Sequence, residues 1–187
     1  MPSAIPFGPP TTCAIWPVCR PRGRARTNSK RTSGYDRGHL APNYAIATRY
    51  GTAAQRETFL RSNVTPQLHA LNAGLWQELE QKVATSYPAR YAEVWAITGP
   101  VFGATPKKLR GRVAVPEAFF LIVIDEHEGK LRTLALIVPQ EAPPDAEPER
   151  YLTRIDEIRR RTGLDFLSEL DDGAEQPVEA QRAAQLW

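Results

Sequence analysis

Four consecutive residues, Asp36-Arg37-Gly38-His39, hold groups that phosphodiester hydrolysis requires. That reaction needs a base to activate water and cations to meet the charge that builds on phosphorus. An imidazole titrates near neutral pH and can take the water's proton. A guanidinium can fork onto phosphate oxygens. Arg37 and His39 lie two apart, so on a strand they project to one face. Gly38 between them allows a close backbone approach. The same tetrapeptide also fits a surface turn with an incidental histidine, and alone it does not decide.

A second group of residues follows. Ser62-Asn63-Val64-Thr65-Pro66-Gln67 precedes Leu71-Asn72-Ala73-Gly74-Leu75-Trp76-Gln77-Glu78-Leu79-Glu80. On one helix, Asn72 and Glu80 are about two turns apart and lie on neighbouring faces. Magnesium takes hard oxygen ligands and keeps several waters. An amide oxygen and a carboxylate acting through water would suffice if substrate phosphate completed the shell. Read alone, Asn72 is a helix-start residue and Glu80 a solvated helix acid. His69, just ahead of the helix, is within reach of the site but fits a surface or helix-entry role better. His127 falls in an expected turn, and Trp76 and Trp95 fit core positions better than base-stacking platforms. Lys107, Lys108, Arg110 and Arg112 form a basic loop that either touches a substrate backbone or is solvated.

These residues need elements to position them. A chain of 187 residues is enough for one domain with a core. Leu68, Leu71, Leu75, Leu79 and Val83 recur at helical spacing, so a helix is expected over 68–83, with Pro66 near its start and Pro88 beyond its end. Residues 93–98, 118–125 and 131–138 read as strands, the first stopping at Gly99-Pro100 and the last two joined by a turn at 126–130. Residues 140–148 read as an acidic, Pro-rich loop. A helix is expected over 153–161, with Thr153 and Asp156 resembling a capping box and Gly163 ending it. Without regular strand–helix alternation, the expected class is α+β, a central, mainly antiparallel sheet flanked by helices. Residues 33–170 form the expected domain, 1–32 an unpatterned segment rich in Pro and Arg, and 171–187 a flexible tail.

Charge is uneven. Residues 1–40 carry seven Arg and Lys against one acid, and residues 141–187 carry twelve acids against six bases. A basic front suits a polyanion, or is simply solvated. Cys13 and Cys19 are too few for a structural zinc site unless histidines complete it. No apolar run approaches the roughly 20 residues of a membrane span, so no membrane partner is expected.

Together the motifs resemble the DNA/RNA non-specific endonuclease family. The stretches that carry the resemblance are Ser33-Gly34-Tyr35-Asp36-Arg37-Gly38-His39-Leu40-Ala41-Pro42, Ser62 to Gln67, and Leu71-Asn72 through Trp76 to Glu80. Ile97-Thr98-Gly99-Pro100-Val101-Phe102, Ile155 to Ile158 and Thr162 to Phe166 extend it to about residue 168. The resemblance implies a ββα-metal finger, in which a hairpin and a helix clasp one divalent ion. It implies His39 as general base, Asn72 as direct ligand of Mg2+, and Glu80 as holder of a metal-bound water. Mn2+ could replace Mg2+ in an oxygen-rich site. Arg37 would stabilise phosphate charge, and Asn63 would bond near the base and keep the hairpin in register. DNA and RNA are the implied substrates, cut without sequence preference and leaving 5′-phosphate ends.

The front departs from this pattern. Members carry strands and a further arginine ahead of the DRGH segment. Residues 1–32 show no such strands, and none of Arg20, Arg22, Arg24, Arg26 and Arg31 can be assigned that role. We read this segment as truncated or mis-started. No signal peptide is visible in the chain as given, while the resemblance points to export, periplasmic or secreted, for many bacterial members. A homodimer does not follow from the sequence. The competing reading is a catalytically impaired nucleic-acid binder on the same fold, and a remoter one is a module that binds an acidic protein.

Overall fold

The long apolar run after residue 117 organises the molecule. In the computed structural model, which describes residues 33–91 and 93–187, Ala118 to Asp125 is buried throughout. The elements in chain order are β1 (Tyr35–His39), α1 (Asn43–Glu57), β2 (Val64–Leu68), α2 (His69–Asn72), α3 (Leu75–Gln81) and α4 (Tyr87–Arg90). They continue with β3 (Trp95–Val101), β4 (Lys108–Leu109), β5 (Val113–Ala114), β6 (Ala118–His127), β7 (Lys130–Pro139), β8 (Leu152–Thr153), α5 (Ile155–Thr162) and α6 (Asp172–Glu179). Strands β3, β6, β7 and β8 form one antiparallel sheet in the order β3-β6-β7-β8. The class is α+β, as expected.

Strand alternation divides the core in two. Phe119, Leu121, Val123, Leu134, Leu136 and Val138 face Leu71, Leu75, Trp76, Leu79 and Tyr87 of the helices that follow β2. Phe120, Ile122, Ile124, Ala135 and Ile137 face Ile155, Ile158 and Phe166. A sheet covered on both sides has no polar face, which is why these strands read as continuous apolar runs. The turn between β6 and β7 is two residues, Glu128 and Gly129, both at positive φ (53° and 73°), the hand that matches strand twist. Gly99 of β3 lies against Phe120, where a Cβ would come within 2.5 Å of the ring.

Several elements differ from expectation. The helix over 68–83 is broken: α2 ends at Asn72, and α3 starts at Leu75 after Gly74, whose backbone is not helical (φ −117°, ψ −117°). A Cβ on Gly74 would lie 2.5 Å from Pro144, so the acidic loop packs into the break. The apolar spacing runs on because both pieces face the same core. A π-helical turn, Lys82–Ser86, follows, and Pro88 sits within α4 rather than beyond the helix. Strand β3 runs through Gly99-Pro100 to Val101, with Pro100 opposite Phe119. At α5 the N-cap is Arg154, and no side chain caps the helix. Gly163 ends it in the left-handed conformation (φ 71°), as expected. The basic loop at 107–112 contributes to a short hairpin, β4 with β5.

The segment expected as a flexible tail carries α6. There Glu175 and Glu179 bond Arg159 of α5 at 3.3 and 3.1 Å. Trp187 lies against Tyr87 and Tyr91, with ring centroids 5.9 and 5.4 Å away. The Arg132 guanidinium sits over both Tyr91 and Trp187. The expectations for residues 1–32, including both cysteines and the upstream arginines, lie outside the described residues.

Strands β1 and β2 pair antiparallel as a separate two-stranded sheet, Tyr35 opposite Leu68 and His39 opposite Val64. With α2 and α3 they make a ββα unit. Gln140, only 3% exposed at the end of β7, fastens it to the main sheet. Its Oε1 accepts from Leu68 N (2.8 Å), and its Nε2 donates to Pro66 O and Pro116 O (3.1 Å each). Removing that amide orphans three backbone groups, in two buried hydrogen bonds and one part-buried one. Gln140→Ala is therefore expected to lower unfolding stability by about 1–3 kcal/mol, read as a shift in the urea midpoint with unchanged slope.

Candidate active site

His39 closes β1 and is half-buried. Its Nε2 is sealed from solvent and has no hydrogen-bond partner. That leaves Nδ1 as the nitrogen that water can reach. Burial holds the imidazole below its ordinary value of 6.5, because a low-polarity setting disfavours the charged form. The Phe59 ring stands nearly perpendicular to it, 5.2 Å between centroids.

The backbone just after His39 is pinned from two sides. Leu40 N donates to Asn63 O (2.9 Å), and Thr98 Oγ1 of β3 donates to Leu40 O (2.7 Å). The Asn63 side chain is 2% exposed. Its Oδ1 accepts from Ala41 N (2.8 Å), and its Nδ2 donates to Ala41 O (3.1 Å) and Thr58 O (3.0 Å). Every bonding position of this amide faces backbone, which suits a fixed buried asparagine.

Arg37 is exposed in the middle of β1 and makes no ion pair among the described residues. Gly38 is buried beneath Gln67, and a Cβ there would come 2.0 Å from Gln67 Oε1. Only glycine fits without moving that side chain. Gln67 is fully buried, and neither end of its amide has a hydrogen-bond partner.

Asn72 ends α2 rather than opening a long helix. Its Nδ2 donates to Asp36 Oδ2 at 3.2 Å. The same carboxylate oxygen lies 2.7 Å from His69 Nδ1. The strand that bears His39 thus also holds the Asn72 amide by its nitrogen end, and Oδ1 is left without a hydrogen bond among the described residues. Part of this arrangement is visible in the sequence: His69 and Asn72 are three apart, one turn on a helix, and Asp36 belongs to the DRGH stretch. The bond from Asp36 to both depends on strand pairing.

Glu80 sits on α3 in a narrow apolar space lined by Pro42, Trp76, Leu79, Val83, Ala96, Thr98 and Leu121. Burial pushes its carboxyl up to about 7. The Trp76 indole offsets part of that rise, although its N–H falls outside hydrogen-bonding geometry. The break at Gly74 separates Glu80 from Asn72, so their relation is not that of two positions on one straight helix. No direct hydrogen bond joins His39, Asn72 and Glu80. Among the described residues no three His, Cys, Asp or Glu side chains cluster as a metal cage. One free amide oxygen and one carboxylate fit a hard ion that keeps most of its waters, not a zinc-like site.

This arrangement has counterparts. The chain is 39% identical over 157 residues to mitochondrial endonuclease G of Homo sapiens, covering 77% of this chain and 52% of that protein. It is 30% identical over 158 residues to a nuclease of Nostoc sp., covering 80% and 56%. It spans about half the length of the curated relatives it matches. A chain in the crystal structure of the EndoG/EndoGI complex superposes with a TM-score of 0.64 at 27% identity, covering 76% of this chain and 62% of that one. The model of the DNA/RNA non-specific endonuclease family matches residues 20–173, beginning inside the segment expected to be unpatterned. A match of that extent takes in the hairpin, the broken helix and the sheet behind them, and the chain belongs to the DNA/RNA non-specific endonuclease family.

Proposed function

We propose that this protein is a metal-dependent endonuclease that hydrolyses phosphodiester bonds in DNA and RNA without regard to sequence. The observation that carries the proposal is the 3.2 Å bond from Asn72 to Asp36. It ties the metal-ligand candidate to the strand of the base candidate and turns the amide oxygen free. Nuclease activity among the relatives, and the family itself, support the same reading.

In this reading His39 takes the proton of the attacking water at Nδ1. Its lowered basicity keeps the imidazole neutral, and able to accept, at pH 7. Asn63 and Thr98 hold the backbone behind it, so the ring is positioned before substrate arrives. Arg37 meets phosphate oxygens from solvent. Asn72 Oδ1 and Glu80 would hold Mg2+, or Mn2+ in its place. The ion supplies Lewis-acid stabilisation of the charge on phosphorus and on the leaving oxygen. Grip on the phosphate backbone rather than base edges gives little sequence preference. The nuclease domain in this proposal spans residues 33–170.

Plasmid nicking by the purified chain, with Mg2+ and with EDTA, tests the core claim. His39→Ala and Asn72→Ala are each expected to lower nicking by at least about a hundredfold. Folded protein that binds plasmid and never nicks it with any divalent ion would favour the binding-only reading. The acid limb of the rate–pH profile is expected to have its midpoint below 6.5, because a depressed imidazole stays neutral to lower pH. Asp36→Ala is expected to raise the metal concentration needed by about ten- to a hundredfold, checked independently of activity by electron paramagnetic resonance of bound Mn2+.

A further inference from the structure

Four of the large apolar side chains exposed among the described residues lie in the connection that follows His39. Phe59 is 64% exposed, Leu60 52%, Tyr44 56% and Tyr50 40%. All four belong to the segment between β1 and β2. Phe59 is not exposed through slackness of the chain. Its neighbour Thr58 is 3% exposed and bonded on every side: Oγ1 accepts from Asn43 Nδ2 (2.8 Å) and donates to Gln55 O (2.7 Å), and its carbonyl accepts from Asn63 Nδ2 (3.0 Å). Leu60 N and Asn63 N then close successive turns on Glu57 O (2.9 Å) and Leu60 O (3.0 Å). A buried anchor at 58 inside a run of tight turns forces the next side chain outward.

Among the described residues the ring so presented makes one close aromatic contact, the perpendicular one with His39 at 5.2 Å. Most of its surface is exposed. Arg56 and Arg61 flank Phe59 in sequence, and Arg37 lies two residues before His39 on β1; all three are exposed and without ion pairs among the described residues, and Glu57 is the only acid from Leu40 to Arg61. Aromatic surface among unpaired cations is the combination that binds single-stranded nucleic acid. Bases stack on rings regardless of sequence, and cations take the phosphates. A ring in contact with the base imidazole lies within a nucleotide of the phosphorus that imidazole serves. A nucleobase paired and stacked in a duplex has no free face to offer it.

We propose that Phe59 is a stacking platform for an unpaired nucleobase flanking the scissile phosphodiester, and that it biases this protein toward single-stranded or locally unstacked DNA and RNA. The proposal rests on the nuclease reading for the position of the phosphodiester. Tyr44 follows Asn43, the residue bonded to Thr58, and is likewise exposed.

The test uses the full chain in EDTA, so that binding is read without cleavage. The probes are a single-stranded oligonucleotide carrying 2-aminopurine and its duplex, followed by anisotropy and by 2-aminopurine quenching. Phe59→Ala is expected to weaken single-strand binding about tenfold, to abolish the quenching and to change duplex binding less than twofold. Phe59→Trp is expected to retain both signals. Phe59→Leu keeps apolar bulk without a π face and is expected to behave like Phe59→Ala. Equal loss on both probes, no loss on either, or wild-type quenching by Phe59→Leu would overturn the platform. In Mg2+ the ratio of kcat/KM on single strand to duplex should fall about tenfold in Phe59→Ala. Quenching that depends on Phe59 in a protein that fails to cut either probe, whichever divalent ion is supplied, would uphold the platform and reject the nuclease reading.

Discussion

Two strands of five residues do not hold themselves in place. An isolated pair of that size is marginal in water, yet β1 carries Asp36, Arg37 and His39 of the candidate site. The constraint is met by fastening them to a sheet that is stable on its own account. Gln140 takes β2 by two backbone groups, and Thr98 takes the chain just after β1 by one. Both fasteners come from the ends or edge of the four-stranded sheet, whose two apolar faces are fully used in the core. The site inherits its rigidity from packing that has no chemical role.

Asn63 distributes that rigidity. One buried amide reaches both the backbone after His39 and the carbonyl of Thr58, so the imidazole and the neighbouring phenyl ring are set by the same side chain. Asp36 does similar work across the hairpin, gathering His69 and Asn72 onto one carboxylate oxygen. Burial then tunes the two titrating groups in opposite directions. It lowers the imidazole of His39 and raises the carboxyl of Glu80, because in each case it favours the neutral form.

Much of this was legible in the residue order. The apolar runs of β6 and β7, the turn between them and the glycine that ends α5 follow from local chemistry, and the structure has all three. The broken helix was not legible. Apolar spacing reports which side of a segment faces the core, and it persists across a kink when both halves pack on the same surface. The cause of the break, Pro144 against Gly74, lies seventy residues away in sequence. The helix of the β1–β2 connection was hidden for a different reason. Only Ile46 of α1 is buried, and Gly51 kinks it with φ 79°, so it has little apolar period to read. At the candidate site, the residue types of DRGH and of the Asn72 stretch are compatible with the proposed chemistry, and neither stretch decides it alone. The partnership of Asp36 with His69 depends on strand pairing, which sequence does not print.

Strand β6 carries one further consequence. Buried and apolar at nearly every position, it would satisfy the core almost equally well if it slid one residue along β3 or β7, since both of its faces are greasy. The usual penalty for such a slip, turning oily side chains to water, is absent here. Alignment comes from three local features: the gap that Gly99 leaves for Phe120, the two-residue corner at Glu128-Gly129, and the buried Asp125 carboxylate paired with Arg132 opposite it on β7. These small features act as indexing marks on an otherwise featureless ruler. A chain that lost them would keep its hydrophobic content and lose its count.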